Sequence, residues 1–560
     1  MKTTIATFAF LTITLVSTSI AQTNICSWAK NGVGSSYDAA KTVTTDANNN
    51  VISGGWFYSP TLNFDSTVLT NNSNSGTHTD AFIVKYDATG NLQWAKSFGG
   101  NGDEGINSIV TDQSGNIYVL GHTSGGSISI GSTTYTNLGS GYNDLFLIKL
   151  DSQGTILWSK VSSGTYSETG EDLSIDSSGN LYLVGEYNSS SFTFGGQTIT
   201  GAGGDSFLFK LNSDGTIIWH REIAGMYSIN SCALTSNHSL VIVGAFSSAT
   251  VQVGTYTLTN GNPYTSYDVF VGKYDTDGSV VWANSYGGSG NEQINSVTVS
   301  NDDNIYFTGE INSASVSFGG IVVTNSGTSL GFETDVVIAK MNQLGSVIWA
   351  KSAGNASFSE SGKSIVTDIN GDVYVVGGND GPGLNFGLGA LSFGGSNEIF
   401  MVTYDANGTA IFNQKIGGNS GENAGAIAID NLGNILVAGD FSSVPTTFGS
   451  NAIQINSPNN SGDAFVAKFN ANYVGLNEIE AEQLISIFPN PSMNAEVSII
   501  NSKLPIEEVN LIDKKGNVVF NAKNINNYQF SLQTKDIPEG GYIVKVQAEK
   551  LYSYKLVIVK

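Results

Sequence analysis

The sequence is short of the residues that usually announce chemistry. Two cysteines, Cys26 and Cys232, occur in 560 residues. They fall in different segments, offer no disulfide framework, and are expected to be free thiols. Basic charge is scarce as well, with 24 lysines and arginines against 47 acids and a net charge of −23. Phosphate binding needs clustered Lys and Arg, so the composition argues against a nucleic-acid partner. The only arginine is Arg221. The four histidines, His78, His122, His220 and His238, show no metal-ligand spacing, and no metal or cofactor is expected. Helical periodicity is missing throughout. Past residue 21 no apolar run is long enough to span a bilayer as a helix, so no transmembrane anchor is expected in the mature chain. Residues 1–21 read as a secretory signal peptide, with Lys2, an apolar stretch from Ile5 to Val16, and a small-residue site at Ser19-Ile20-Ala21.

What the chain has is glycine, 67 of them, and one recurring hairpin. The hairpin is clearest at Asp80–Lys96: an acid opens a strand, a lysine follows, then a Gly-containing turn and a tryptophan. Trp28, Trp94, Trp158, Trp219, Trp282 and Trp349 recur at intervals of 61 to 67 residues, with Phe412 in the next slot. The lysine keeps the same beat at Lys85, Lys149, Lys210, Lys273, Lys340 and Lys468, with Thr403 standing in once. A fixed period of this kind marks a repeat architecture. Each repeat carries four strand signals, a to d, with tight Asx and Gly turns between a and b and between c and d. Seven such units with apolar faces on both sides predict an all-β, seven-bladed β-propeller over 22–476, since a radial stack buries both faces. The first strand, Cys26–Lys30, is a strand d without a, b or c before it. The last repeat lacks a tryptophan-bearing d. The N-terminal strand is therefore expected to complete the last blade and close the ring. The repeated tryptophans are expected to be core between blades.

Residues 23–476 resemble the SBBP-type β-propeller repeats of secreted bacterial proteins, in the pattern W-x-K, D-x-x-G-N-x-Y-x-x-G and D-x-F-x-x-K. The resemblance implies a propeller and no common activity. Residues 477–483 read as a linker. Residues 484–560 resemble a type A C-terminal sorting domain of the type IX secretion system. The matching residues are Phe488, Pro489, Asn490 and Pro491, then Asp513 and Gly516 in a Lys-Lys-Gly turn, then Gly541 and Tyr542, and the basic-apolar end Tyr554–Lys560. That resemblance implies export to the cell surface or medium, with the type IX machinery as partner. Alternating short strands predict a small β-sandwich there.

Motifs that look catalytic carry little. Gly327-Thr328-Ser329-Leu330-Gly331 has the G-x-S-x-G form but lies between strands b and c, with no helix after it. Gly100–Gly105 has the G-x-G-x-x-G form, but a strand follows. One constellation is periodic: Asp38, Glu104, Glu168, Glu292, Glu360 and Glu422 stand in the loops that enter the inner strands. In a meander the d–a and b–c loops share one end of the disc, so these acids are expected to ring the channel mouth. Either each accepts hydrogen bonds from its own Gly-rich loop, or together they form a candidate cation site. Trp56, Phe57 and Tyr58, at the end of a strand b, make an aromatic run on the same long-loop face and are candidate ligand-binding residues. The expectation is a secreted or surface, non-catalytic binding module for an extracellular protein or glycan. The rivals are a polysaccharide lyase or glycosidase on the same scaffold, and a passive surface spacer.

Overall fold

A computed structural model describes 26–73, 77–136, 141–201, 203–327, 333–395, 397–418, 421–442, 446–448, 453–455 and 462–470, and in a second unit 485–488, 496–501, 505–513, 517–547 and 551–558. The chain divides after Asn472. The expected signal peptide, the linker 477–483 and the serine of the G-x-S-x-G motif lie outside the described residues.

The first unit is built of seven antiparallel blades of four strands each, and no helix occurs among the described residues. Blade one is extended to six strands by the b–c hairpin of blade two, which pairs Ile128 with Gly100. Blade one runs Asp38–Thr45 (a), Val51–Phe57 (b), Asp80–Tyr86 (c) and Leu92–Gly100 (d). Strands b and c are apolar on both faces and buried on both, as in Asp80–Tyr86, where every residue is buried. Strand d is half exposed. The seven inner strands pack in a ring. Asp38–Thr45 lies on Glu104–Thr111, and the series continues through Glu168–Ile175, Ser228–Leu234, Glu292–Val299 and Glu360–Thr367 to Glu422–Ile429, which packs back on Asp38–Thr45. The apolar clusters lie between blades. Val51, Phe57 and Tyr86 of blade one meet Leu436, Ala438 and Val466 of blade seven. Each large apolar side chain so buried contributes roughly 1.5–3 kcal/mol.

Blade seven supplies strands a, b and c from Glu422–Ile429, Ile435–Phe441 and Asp463–Phe469. Its strand d is Cys26–Asn31, paired antiparallel from Cys26↔Phe469 to Asn31↔Phe465. The ring is closed by the other end of the chain. Cys26 and Cys232 are both buried free thiols.

The periodic lysine and tryptophan share one acceptor. Lys85 Nζ and Trp94 Nε1 both donate to the Ser152 carbonyl, at 3.1 and 3.2 Å, in the c–d turn of the next blade. Lys210 and Trp219 do the same to Thr276, and Lys340 and Trp349 to Ala406. Across the closure, Lys468 and Trp28 meet on Ala88. The turn glycine completes the contact. Gly154 has φ +80°, and a Cβ there would come within 3.1 Å of the Trp94 ring. Blade six departs at both positions, with Thr403 and Phe412. Its acceptor would lie in a c–d turn of blade seven, and blade seven has none, because its strand d comes from the N-terminal end. Phe412 packs instead with Cys26 and Ala29.

Every inner strand also carries a β-bulge at one place, between Ala40 and Thr42 in blade one and between Ile106 and Ser108 in blade two. The bulged residue is used to lace neighbours: Asn107, Asn230 and Asn295 donate to Gly170, Ile294 and Gly362 of the following blade. Each blade also holds a two-stranded hairpin in its b–c connection, such as Thr61–Phe64 with Thr67–Thr70.

The second unit has two sheets. One orders Ile485–Phe488, Glu496–Asn501 and Gln529–Gln533; the other orders Val518–Asn527, Ile506–Ile512, Gly540–Gln547 and Leu551–Ile558. Val497, Ile499, Val509, Leu511, Leu532, Val544 and Leu556 form one core from both, which is the expected sandwich.

Candidate binding surface

The d–a and b–c loops meet at one end of the propeller. Tyr58 N donates to Tyr37 O at 3.1 Å, Ser124 N to Asp103 O at 2.9 Å, and Asn188 N to Ser167 O at 2.7 Å. The tight a–b and c–d turns stand at the other end. In the a–b turns, Asp46 caps Asn48 and Asn50, and Asp112 caps Ser114 and Asn116.

The six acids stand at the start of the inner strands, at the long-loop end where the sequence placed them, but they are sealed from solvent. Asp38, Glu104, Glu168 and Glu360 are fully buried, and Glu292 and Glu422 are 1% exposed. Of the two readings the sequence offered, the contacts follow the hydrogen-bonded one: Glu104, Glu292 and Glu360 accept from Gly100, Gly288 and Asn355 of their own loops. The carboxylates form sealed seams in place of the expected open ring at the channel mouth. The cause is the backbone. Each acid donates its N–H to the blade before it: Asp38 to Gly462 at 2.7 Å, Glu104 to Thr79 at 2.8 Å, Glu168 to Asn143 at 2.7 Å, Glu292 to Tyr267 at 2.9 Å, Glu360 to Thr334 at 2.8 Å and Glu422 to Asn397 at 2.7 Å. A glycine at or just past the end of strand d then folds over a carboxyl group. At Gly34 and Gly164 it is that of the loop acid, Asp38 and Glu168; at Gly99, Gly287 and Gly354 it is that of the strand-c acid, Asp80, Asp268 and Asp335. A Cβ at Gly34, Gly99, Gly164, Gly287 or Gly354 would fall 1.9–2.2 Å from a carboxyl atom.

The side chains are held by the loops. Glu104 accepts from Gly100 N and Thr123 Oγ1, each at 2.8 Å. Asp38 accepts from Ser59 N at 3.0 Å and Ser59 Oγ at 2.6 Å. Glu292 accepts from Gly288 N and Ser313 N. Each of these acids also faces the acid that opens strand c of the preceding blade: Glu104 faces Asp80, Glu168 faces Asp144, Glu292 faces Asp268 and Glu360 faces Asp335. Burial first, and the neighbouring carboxylate second, push Glu104, Glu168 and Glu360 up to about 8 and Asp38 up to about 7, despite the loop hydrogen bonds. Asp80 and Asp144 are raised to about 6, chiefly by burial. Among the described residues no group of three or more His, Cys, Asp or Glu is placed to hold a metal ion.

The aromatic run divides. Phe57 is fully buried between blades one and seven and is core, which corrects its place among the candidate binding residues. The alternation of a strand explains it: Trp56 and Phe57 point to opposite faces. Trp56 and Tyr58 are half buried, their ring centroids 5.7 Å apart. Tyr37, which the sequence reading missed, stands 5.2 Å from Trp56 and is 38% exposed. Its hydroxyl donates to Asp440 Oδ2 at 2.8 Å, and Asn423 Nδ2 donates to the same oxygen at 2.9 Å. The result is three rings beside a fixed polar pair. Tyr142 with Tyr166, and Tyr227 with Tyr267, form further pairs at 5.1 and 4.4 Å. Tyr37, Tyr142, Tyr166, Tyr227, Tyr264 and Phe358 are the exposed aromatics of the described propeller, and all lie in d–a or b–c loops. The turn tips at the other end expose aliphatics instead, Leu344, Ile369 and Leu432.

Of the sorting-motif residues, Pro489, Asn490, Pro491 and Gly516 lie outside the described set. Phe488 ends the strand Ile485–Phe488. Asp513 caps a turn by accepting from Asn517 N at 2.8 Å. Gly541 and Tyr542 sit in Gly540–Gln547, and the buried Tyr542 donates its hydroxyl to Pro538 O at 2.8 Å.

Residues 486–560 match the secretion system C-terminal sorting domain family, and residues 93–128 match the β-propeller repeat family. The chain thus carries an SBBP-type propeller repeat and a type IX sorting tail. An uncharacterized WD repeat-containing protein of Acanthamoeba polyphaga mimivirus is 23% identical over 519 residues, covering 76% of this chain and 37% of that protein. Similar solved structures include the Neurospora crassa Pan2 WD40 domain, at 10% identity and a TM-score of 0.33, covering 67% of this chain and 91% of that one. PorZ, a surface component of the type IX secretion system of Porphyromonas gingivalis, is 11% identical with a TM-score of 0.19, covering 95% of this chain and 100% of that one. At these scores the likenesses bear on neither activity nor ligand.

Proposed function

We propose that the propeller is a non-catalytic binding module that engages an extracellular glycan or protein through its long-loop face. The sorting tail implies export to the cell surface or the extracellular space. The observation that carries the binding reading is the segregation of exposed aromatics to one end, with Tyr37, Trp56 and Tyr58 grouped beside Asp440 and Asn423. Rigid aromatic side chains give contact area at low entropic cost, and their rings suit both sugar faces and protein anchors. The sealing of the six periodic loop carboxylates supports a non-catalytic role, because those acids are not free to flank a scissile bond.

Glycan arrays and surface-protein pull-downs with the mature chain test this. Trp56→Ala should weaken capture by about ten-fold or more, as for a hot-spot aromatic. The melting temperature should move by only a few degrees, since Trp56 is half buried. Undiminished capture by Trp56→Ala together with Tyr37→Ala removes the assignment, and so does a large loss of stability.

A further inference from the structure

A cavity of about 350 Å³ opens at the opposite end of the propeller, between the turns of blades one and two. Its walls come from five elements, with Asp46, Ala47, Asn48 and Asn50 from the a–b turn of blade one and Lys85 from its strand c. Gln93 belongs to strand d of blade one, Gln113 to the a–b turn of blade two, and Gln153 to the c–d turn of blade two. Asn50 adds a further amide and accepts from Gln93 Nε2 at 3.2 Å. Inside lie Lys85 and Asp46, paired at 2.9 Å with side chains only 2% exposed. Their charges cancel, and no other charged residue and no aromatic ring lines the space.

Gln93 is particular to this seam, whereas Asn50 has counterparts in Asn116, Asn180, Asn304 and Asn434, and Gln153 has one in Asn407. At the position of Gln93 in strand d, blades two to five carry Leu157, Ile218, Val281 and Ile348, which are 44–52% exposed. At the position of Gln153, blade five carries Leu344. The scaffold therefore tolerates apolar residues at both places and has glutamine here instead. An amide offers a donor and an acceptor side by side, the complement of a hydroxyl pair. The volume lies within the range of small-molecule sites.

We propose that this cavity is a second binding site, for an uncharged polyhydroxylated ligand of the size of one sugar unit. It is held by the three glutamines and Asn50 above the Lys85–Asp46 pair, and recognition runs through hydrogen bonds, without ring stacking. It stands at the turn end, away from Trp56, and is independent of the long-loop face.

The test is saturation-transfer NMR on the full mature chain, with D-galactose and N-acetyl-D-glucosamine as probes at millimolar concentration. Transfer to the ring protons of at least one sugar is expected. Gln93→Leu and Gln153→Leu, which copy residues of other blades, should each weaken it by roughly ten-fold at most and together abolish it. The glutamine variants are read in a Trp56→Ala, Tyr37→Ala background, which removes the aromatic group of the long-loop face. No transfer to either sugar in that background overturns the proposal, as does transfer that survives the added glutamine double variant.

Discussion

At the scale of the residue, the repeat is maintained by a three-way contact. A tryptophan and a lysine of one blade share a carbonyl of the next, and a left-handed glycine lies against the indole. Each partner needs the others. Trp94→Phe should keep most of the packing and lose one hydrogen bond, costing about 1–2 kcal/mol. Gly154→Ala forces a Cβ against Trp94 and the Lys96 side chain at φ +80°, and should cost more, about 2–4 kcal/mol. Urea unfolding of the two variants checks the order; a reversed order would show that the indole N–H, rather than the close approach, dominates. The beat of Trp and Lys was legible in the sequence. Why blade six drops both at once was not, because the reason is a turn missing from the neighbouring blade. Tyr37 escaped notice because it has no periodic counterpart. Phe57 was misplaced because the composition of an aromatic run does not say which face each ring takes.

At the scale of the element, the seams between blades are acidic inside. Glu104 with Asp80, and Glu168 with Asp144, place two raised carboxyl groups in each buried loop junction. A carboxyl group whose folded pKa lies above its unfolded one stabilises the fold at low pH. That stabilisation is lost as pH rises from the unfolded value, 4.5, through the folded value of about 8 for Glu104. The melting temperature should therefore fall between pH 5 and about 8. Glu104→Gln, which keeps an acceptor for Gly100 and Thr123, should flatten part of that slope. An unchanged slope in the variant removes Glu104 as a contributor. The Asp46 and Asp430 carboxylates act the other way. Despite burial, hydrogen bonds from Asn50 and Asn434 and the Lys85 and Lys468 ammonium groups hold them low. Their contribution is present at neutral pH and is lost in acid as they protonate. The spacing of the seam acids was visible in the sequence, but their depth was not, since position along a chain does not report distance from solvent. A signal was available in Gly34, Gly99, Gly164, Gly287 and Gly354, placed a few residues before the acids. Such glycines mark close approach of backbone to side chain.

At the scale of the whole molecule, the architecture was legible because the period is long and regular, and the orphan strand at Cys26–Asn31 could be assigned from what blade seven lacked. The binding surfaces were less so, because they depend on which loops share an end and on what fills the gaps between turns. Removing residues 23–32 strips a strand and Trp28 from blade seven, and should cost the propeller on the order of 5 kcal/mol. An unchanged melting temperature would contradict the role of that strand. Removing residues 484–560 should leave the propeller folded, since its cores lie entirely within the first unit, but retained inside the cell envelope. Fractionation of cells and medium decides this, and normal release of the truncated chain would argue against the tail as the export signal.

Closure by the first strand also sets a schedule. Ser27 Oγ bonds Lys468 O across 441 residues. That strand must stay unpaired until nearly all of the propeller has been synthesised, roughly half a minute or more at ordinary translation rates. Until then the last sheet has an open edge and the ring has a gap. Folding to the closed state is a late, non-local event with a high contact order. A chain that stalls or is cut before Phe469 keeps a lone apolar strand and a set of blades with nowhere to end, a form open to edge-to-edge association and to proteases. Because the sorting tail is encoded after Phe469, a chain that carries it has already made every strand needed to close.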